Sequence, residues 1–155
     1  MNVGNNNLEG RFPCMLPLSL RILVLRSNIF HGDLRCSKSW PNLQILDISS
    51  NDFSGHLNLL NFSSLRGMML HMSGSSAPTL NFLGADIYYR NEVNITTKGL
   101  EVKLVKIWPD FTSIDLSLNR FQGKYQLHLV ILAHSIFSTY PTTLSLMQSQ
   151  DHWVP

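Results

Sequence analysis

The sequence predicts an α/β-type repeat solenoid, with parallel strands on its concave face and one island interrupting the repeats. Three observations predict it. An asparagine recurs with the same apolar neighbours at positions 6, 28, 51 and 119, and the first three of these are almost evenly spaced. The 155-residue chain is also 44% apolar but only 14% charged. Self-similarity at such a period marks stacked units, each burying its apolar side against its neighbours. The low charge leaves surface polarity to Asn, Ser and Thr.

The first copy runs from Met1 to Pro13, with Met1, Val3, Asn6, Leu8, Gly10 and Phe12 in place. Leu23, Leu25, Asn28, Phe30, Gly32 and Leu34 repeat it, as do Leu46, Ile48, Asn51, Phe53, Gly55 and Leu57. A fourth copy uses Ile114, Leu116, Asn119, Phe121 and Gly123, and the interval from Asn51 to Asn119 is a little under three repeats. The alternating apolar pair is a short strand whose side chains enter the core. The asparagines, Asn6, Asn28, Asn51 and Asn119, stand where the chain leaves the strand, so their amides can satisfy backbone groups beyond the ladder. Leu8, Phe30, Phe53 and Phe121 are expected to form a spine capping the core, and the glycine to permit the turn that follows. This divides the chain into repeats over 1–65, an island over 66–110, a further repeat over 111–124 and a non-repeat tail over 125–155.

Within the island, Ser73 to Pro78 is a loop signal, and Glu92–Thr96 and Leu100–Val105 alternate as strands do. Tyr88, Tyr89 and Arg90 are candidate ligand contacts, since aromatics and arginine dominate binding hot spots. Alternatively the tyrosines cover the island's own small core. On the concave face the outward positions include Arg21, Val24, Arg26, Gln44, Asp47, Ser49, Ser113 and Asp115, a surface that solenoids use for partners. Asp47 and Asp115 hold similar places beside serines and can equally serve the repeat.

Cys14 and Cys36 hold the same place in successive repeats, in Phe12-Pro13-Cys14 and Leu34-Arg35-Cys36. Regular stacking brings such positions to about 5 Å, within reach of a disulfide. The alternative is a pair of free thiols. Asn61-Phe62-Ser63 and Asn94-Ile95-Thr96 are glycosylation sequons. The six histidines show no metal-ligand spacing, and no nucleophile motif or phosphate-binding glycine loop is present. No cofactor, metal or catalytic residue is expected, and the reading is not an enzyme. A net charge of +2 without a basic run gives no footprint for nucleic acid. No signal segment is visible, and Leu127–Phe137, the longest apolar stretch, is too short to span a membrane.

The repeat residues resemble the plant-specific class of leucine-rich repeats. Tyr88-Tyr89-Arg90-Asn91-Glu92-Val93, Thr97-Lys98-Gly99-Leu100-Glu101 and Phe111 to Ser117 are similar to the junction after the island of plant receptor-like proteins. With Asn61 to Met69 added, the likeness is nearest to the Verticillium-wilt-resistance type. The resemblance covers residues 1–124. It implies a cell-surface, immune-type receptor at the extracellular side of the plasma membrane. Such a receptor senses a peptide or protein ligand and signals through partner receptor kinases. This chain then reads as an ectodomain fragment that is not functional alone. The alternative is a small secreted repeat protein that binds and inhibits an extracellular enzyme.

After Lys124 the repeat calls for Ile-Pro, and Tyr125 follows instead. Loss of one base at the Lys124 codon accounts for this. Shifting a back-translation of Phe137–Val154 by one base regenerates a further repeat, although codon choice leaves freedom at several positions. A divergent closing segment, such as a short helix, is the other reading.

Overall fold

The computed structural model describes residues 1–57, 65–68, 93–97, 100–104, 111–122 and 143–145. Its elements are short strands: β1 (Glu9–Gly10), β2 (Ile22–Val24), β3 (Ile29–Gly32), β4 (Ile45–Asp47) and β5 (Asp52–His56). β6 (Val93–Thr97), β7 (Leu100–Leu104), β8 (Ser113–Asp115), β9 (Arg120–Gln122) and β10 (Thr143–Ser145) follow. Among the described residues there is no α-helix, and the helical part of the α/β expectation appears there only as 3-10 structure, at Leu57 and over Arg66–Met68. Prolines at 13, 17 and 41 lie in the connections leading to β2 and β4, and each removes a donor that a helix interior would use.

Two parallel sheets organise the repeats. One has the order β10-β8-β4-β2, and the other the order β1-β3-β5-β9. In the first, Leu23, Leu46, Ile114 and Leu144 are register partners in sequence across the sheet. Asn2 bridges to Val24 at the β2 edge. The second sheet is built by the residues just after each asparagine, with Glu9 opposite Ile29, His31 opposite Asp52 and Ser54 opposite Arg120. β6 and β7 form a separate antiparallel pair, with Asn94 opposite Lys103.

The core lies between the two sheets. Leu23, Leu25, Leu46, Ile48, Ile114 and Leu116 enter it from the first sheet, and Phe30 and Phe53 from the second. Phe30 and Phe53 stack with ring centroids 6.1 Å apart, and Phe12 meets Phe53 edge-on at 6.0 Å and Trp40 at 5.6 Å. Buried aromatic pairs of this kind add about 0.5–1.5 kcal/mol each beyond area burial. The spine departs from expectation at one end. Leu8 is exposed, whereas Phe12 of the same repeat is buried against Phe53 and Trp40.

Two arrangements were not evident from spacing. Asn51 and Asn119, far apart in sequence, occupy adjacent rungs, because β4 pairs directly with β8. The gap is therefore not filled by further rungs between those two strands. Thr143–Ser145, inside the segment read as a non-repeat tail, adds to the far edge of the same sheet as a parallel strand. Core packing also continues past residue 65, through Leu65 and Met68, while the Gly67 amide donates to the Pro41 carbonyl.

Candidate functional site

Each of three rungs carries the same asparagine device. The Asn28 amide group donates to the carbonyls of Val3, Leu25 and Arg26, at 2.9, 2.9 and 3.2 Å, and its oxygen accepts from the Leu8 amide at 2.9 Å. Asn51 donates to Leu25, Ile48 and Ser49 at 3.0, 3.1 and 3.0 Å, and accepts from Phe30 at 3.1 Å. Asn119 donates to Ile48, Leu116 and Ser117 at 2.9, 3.2 and 3.1 Å, and accepts from Phe53 at 3.0 Å. Every one of the three thus ties its own turn to the preceding repeat. Asn6 makes only the local half, donating to the carbonyls of Val3 and Gly4.

The residue before each asparagine is held in a costly backbone conformation. Asn5, Ser27, Ser50 and Leu118 have φ values of 56°, 52°, 53° and 53°. Asparagine tolerates the left-handed region through local hydrogen bonds, whereas leucine has no such compensation. Sequence reading missed this position, although the run of Asn, Ser and Ser there was its signal. The turn glycines Gly32 and Gly55 also have positive φ, 83° and 84°, which confines both sites to residues without a Cβ.

The face of the first sheet opposite the core bears Val24, Arg26, Asp47, Ser49, Asp115 and Ser117. It differs from the open partner surface that alternation suggested. Val24, Gln44, Asp47, Ser49, Ser113 and Asp115 are buried, Arg26 is half-buried and Arg21 is exposed. Strand alternation tells which side a residue faces, and says nothing about whether that side is covered. The aspartates are also built in. Asp47 Oδ1 accepts from the Ser49 amide at 3.1 Å and the Ser49 hydroxyl at 2.6 Å, and Asp115 Oδ1 accepts from the Ser117 amide at 3.0 Å. Arg26 Nε lies 3.9 Å from Asp47 Oδ2, a loose ion pair. Burial is the main cause holding the Asp47 carboxyl above the ordinary carboxylate range, and the neighbouring Asp115 charge adds to it. The Ser49 bonds and Arg26 act in the opposite direction.

Cys14 and Cys36 form a disulfide with their Cα atoms 5.5 Å apart, joining successive repeats beside the core. Asn94 is half-buried on β6, with Lys103 as its register partner. Asn61, Tyr88, Tyr89 and Arg90 lie outside the described residues. Among the described residues there is no group of three or more metal-ligating side chains. No helix among them is long and apolar enough to cross a membrane.

No family model and no solved structure matches the chain. Among curated proteins, Receptor-like protein 18 of Arabidopsis thaliana is 37% identical over 126 residues, covering 80% of this chain and 15% of that protein. Receptor-like protein 35 of the same plant is 34% identical, with 80% of this chain and 13% of its own length covered. Receptor-like protein 34 is 36% identical over 129 residues, again 80% of this chain and 13% of its own length. The chain therefore spans roughly one seventh of the relatives it matches. With stacked parallel strands and a repeated asparagine rung beside these matches, the chain is a leucine-rich-repeat fragment of the plant receptor-like protein type.

Proposed function

We propose that the chain is part of the ligand-sensing ectodomain of an immune-type receptor at the plant cell surface, a protein-binding scaffold that does not act alone. The observation that carries this reading is the match to receptor-like proteins over 80% of the chain. Stacked strands of this kind extend into a solenoid when more repeats are added on either side, and solenoids present their strands as a continuous binding surface. In this reading residues 1–65 and 111–124 are repeats, 66–110 is an island, and 125–155 is a tail produced by a shifted frame. The ligand is an extracellular peptide or protein, and signalling runs through partner receptor kinases. Arg26, with Tyr88, Tyr89 and Arg90 of the island, supplies contacts, because aromatic and guanidinium groups give the largest energies at protein interfaces. Asn61 and Asn94 carry glycans, in keeping with an oxidising compartment that also suits the Cys14–Cys36 bridge.

A chimaera tests the reading. Residues 1–122 replace the matching stretch of Receptor-like protein 18, expressed in plant cells with an external tag. Delivery to the plasma membrane, read by a non-permeant label, together with a glycan-dependent mass shift removed by Asn61→Gln and Asn94→Gln, is the expected result. A chimaera that reaches the surface without glycans, or one retained inside while the parent is delivered, contradicts it.

A further inference from the structure

The two sheets differ beyond the repeat of Asn119. Among the described residues β9 is the outermost strand of the second sheet, and its Arg120 and Gln122 are exposed. The first sheet has one strand more. There β10 lies parallel on β8, with Thr143 opposite Ser113, Leu144 opposite Ile114 and Ser145 opposite Asp115. Successive residues of a strand turn their backbone groups to opposite neighbours. The Ser113 amide donates to the Gln44 carbonyl and the Asp115 carbonyl accepts from Ile48, so both residues face β4. Ile114 stands between them and turns its amide and carbonyl to the β10 side. It is buried, at 2% exposure, and buried peptide groups require partners. With Leu144 opposite Ile114, those partners are the Thr143 carbonyl and the Ser145 amide. The free side of β8 is thus a place that takes a parallel strand, and β10 fills it.

The other strands of this sheet are tied down by more than their ladders. Asn28, Asn51 and Asn119 each stand five residues after the central strand residue, Leu23, Leu46 or Ile114. Each donates to carbonyls of its own turn and of the preceding repeat, and accepts an amide of the preceding repeat. Five residues after Leu144 the sequence has Ser149 instead. A hydroxyl brings one donor where the amide group brings two, and it cannot span the same set of carbonyls. The sequence therefore withholds from β10 the tie that locks β2, β4 and β8. Among the described residues β10 is held by a three-residue ladder.

We propose that the edge of β8 is a strand-acceptor site and that β10 is a displaceable strap which fills it. The partner that fits is an extended peptide lying parallel to β8. Main-chain bonds to Ile114 supply its affinity, and the row of register partners supplies its selectivity. Leu23, Leu46, Ile114 and Leu144 make up that row, so the incoming peptide carries an aliphatic residue opposite Ile114. The strap also guards the edge. An open strand edge pairs with whatever extended chain it meets, and β10 keeps this one closed until a better strand arrives. Because the cis strand must leave first, the affinity for a peptide falls by the fraction of time the edge is open.

The test compares the full chain with its Ser145→Pro variant, which removes the amide aimed at the Ile114 carbonyl. Amide hydrogen exchange is followed at Ile114 and Ser113, with and without a labelled synthetic peptide of residues 139–149. In the variant, exchange at Ile114 should speed up by about tenfold or more, while Ser113, bonded to Gln44, stays protected. The peptide should bind the variant and restore protection at Ile114. It should bind the unsubstituted chain about tenfold or more weakly, because that site is already filled. Unchanged exchange at Ile114 in the variant overturns the proposal, as does peptide binding that is equal for both chains or absent from both. If Ser145→Pro does not fold, the unsubstituted chain decides. Ile114 exchanging faster than Ser113, and slowed by added peptide, supports a displaceable strap. Equal protection of the two amides, unaltered by peptide, means a locked strand and overturns it.

Discussion

The step from β2 to β4 and the step from β4 to β8 use the same bonds over very different lengths of chain. In the first, Leu25 donates to Asp47 at 2.7 Å and Ser27 to Ser49 at 3.0 Å. In the second, Ile48 donates to Asp115 at 2.9 Å and Ser50 to Ser117 at 3.0 Å. The asparagine rung is the same in both. Yet the first step runs from Asn28 to Asn51, and the second runs from Asn51 all the way to Asn119. Loop-closure entropy grows slowly, by about 0.6 kcal/mol for each doubling, so the longer step costs roughly 1 kcal/mol more. A rung that satisfies several buried backbone groups outweighs this, because each such group left unpaired costs about 1–3 kcal/mol. A repeat array can therefore absorb an insertion at little cost, provided the rung after it is complete.

The largest expected effect comes from removing that rung. Asn119→Ala leaves the Phe53 amide and three carbonyls without their partner and should cost about 3 kcal/mol in urea unfolding. Asn51→Ala should cost a similar amount, and Asn6→Ala, which loses only local bonds at an exposed site, under about 1 kcal/mol. Equal costs at Asn6 and Asn119 would show that the bonds between repeats add nothing.

Next in size is the Cys14–Cys36 bridge, which supports the short-range half of the comparison. Replacing both cysteines by serine should lower stability by about 3 kcal/mol, from the entropy of the unfolded loop. If the loss in reduced wild-type protein differs greatly from that in the double variant, the cost arises from the serines.

Gly67 probes the entry to the gap. A Cβ there would lie 2.8 Å from the Asn42 carbonyl carbon and 2.9 Å from its oxygen, both backbone atoms that cannot swing aside. Gly67→Ala should destabilise by about 1–3 kcal/mol through this overpacking. The smallest effect is a gain. Leu118 is exposed in a left-handed conformation, so Leu118→Asn should stabilise by about 0.5–1 kcal/mol, read as a rise in Tm. No gain there would indicate that the left-handed turn costs leucine little at this rung.

How much of this is legible in the sequence depends on what each residue's role requires. The repeat is legible because Asn28, Asn51 and Asn119 do one job, and that job needs both a donor and an acceptor on a short side chain. The interval between Asn51 and Asn119 is not, since spacing alone does not separate an insertion from worn repeats. The strand at Thr143–Ser145 is hidden for a related reason: a short segment paired at a sheet edge needs little more than extended backbone. Asp47 and Asp115 are visible as a matching pair beside serines. Their burial is not, because it depends on what covers a face that alternation only orients.

The repeats on either side of the gap stack directly through Asn119, and amide hydrogen exchange tests this most directly. The comparison is between the Phe53 and Phe30 amides in the unsubstituted chain and in Asn119→Ala. Both should be protected in the first. In the variant, protection should be lost selectively at Phe53, while Phe30, held by Asn51, stays protected. Unchanged protection of Phe53 in a folded Asn119→Ala chain would contradict direct stacking through this rung.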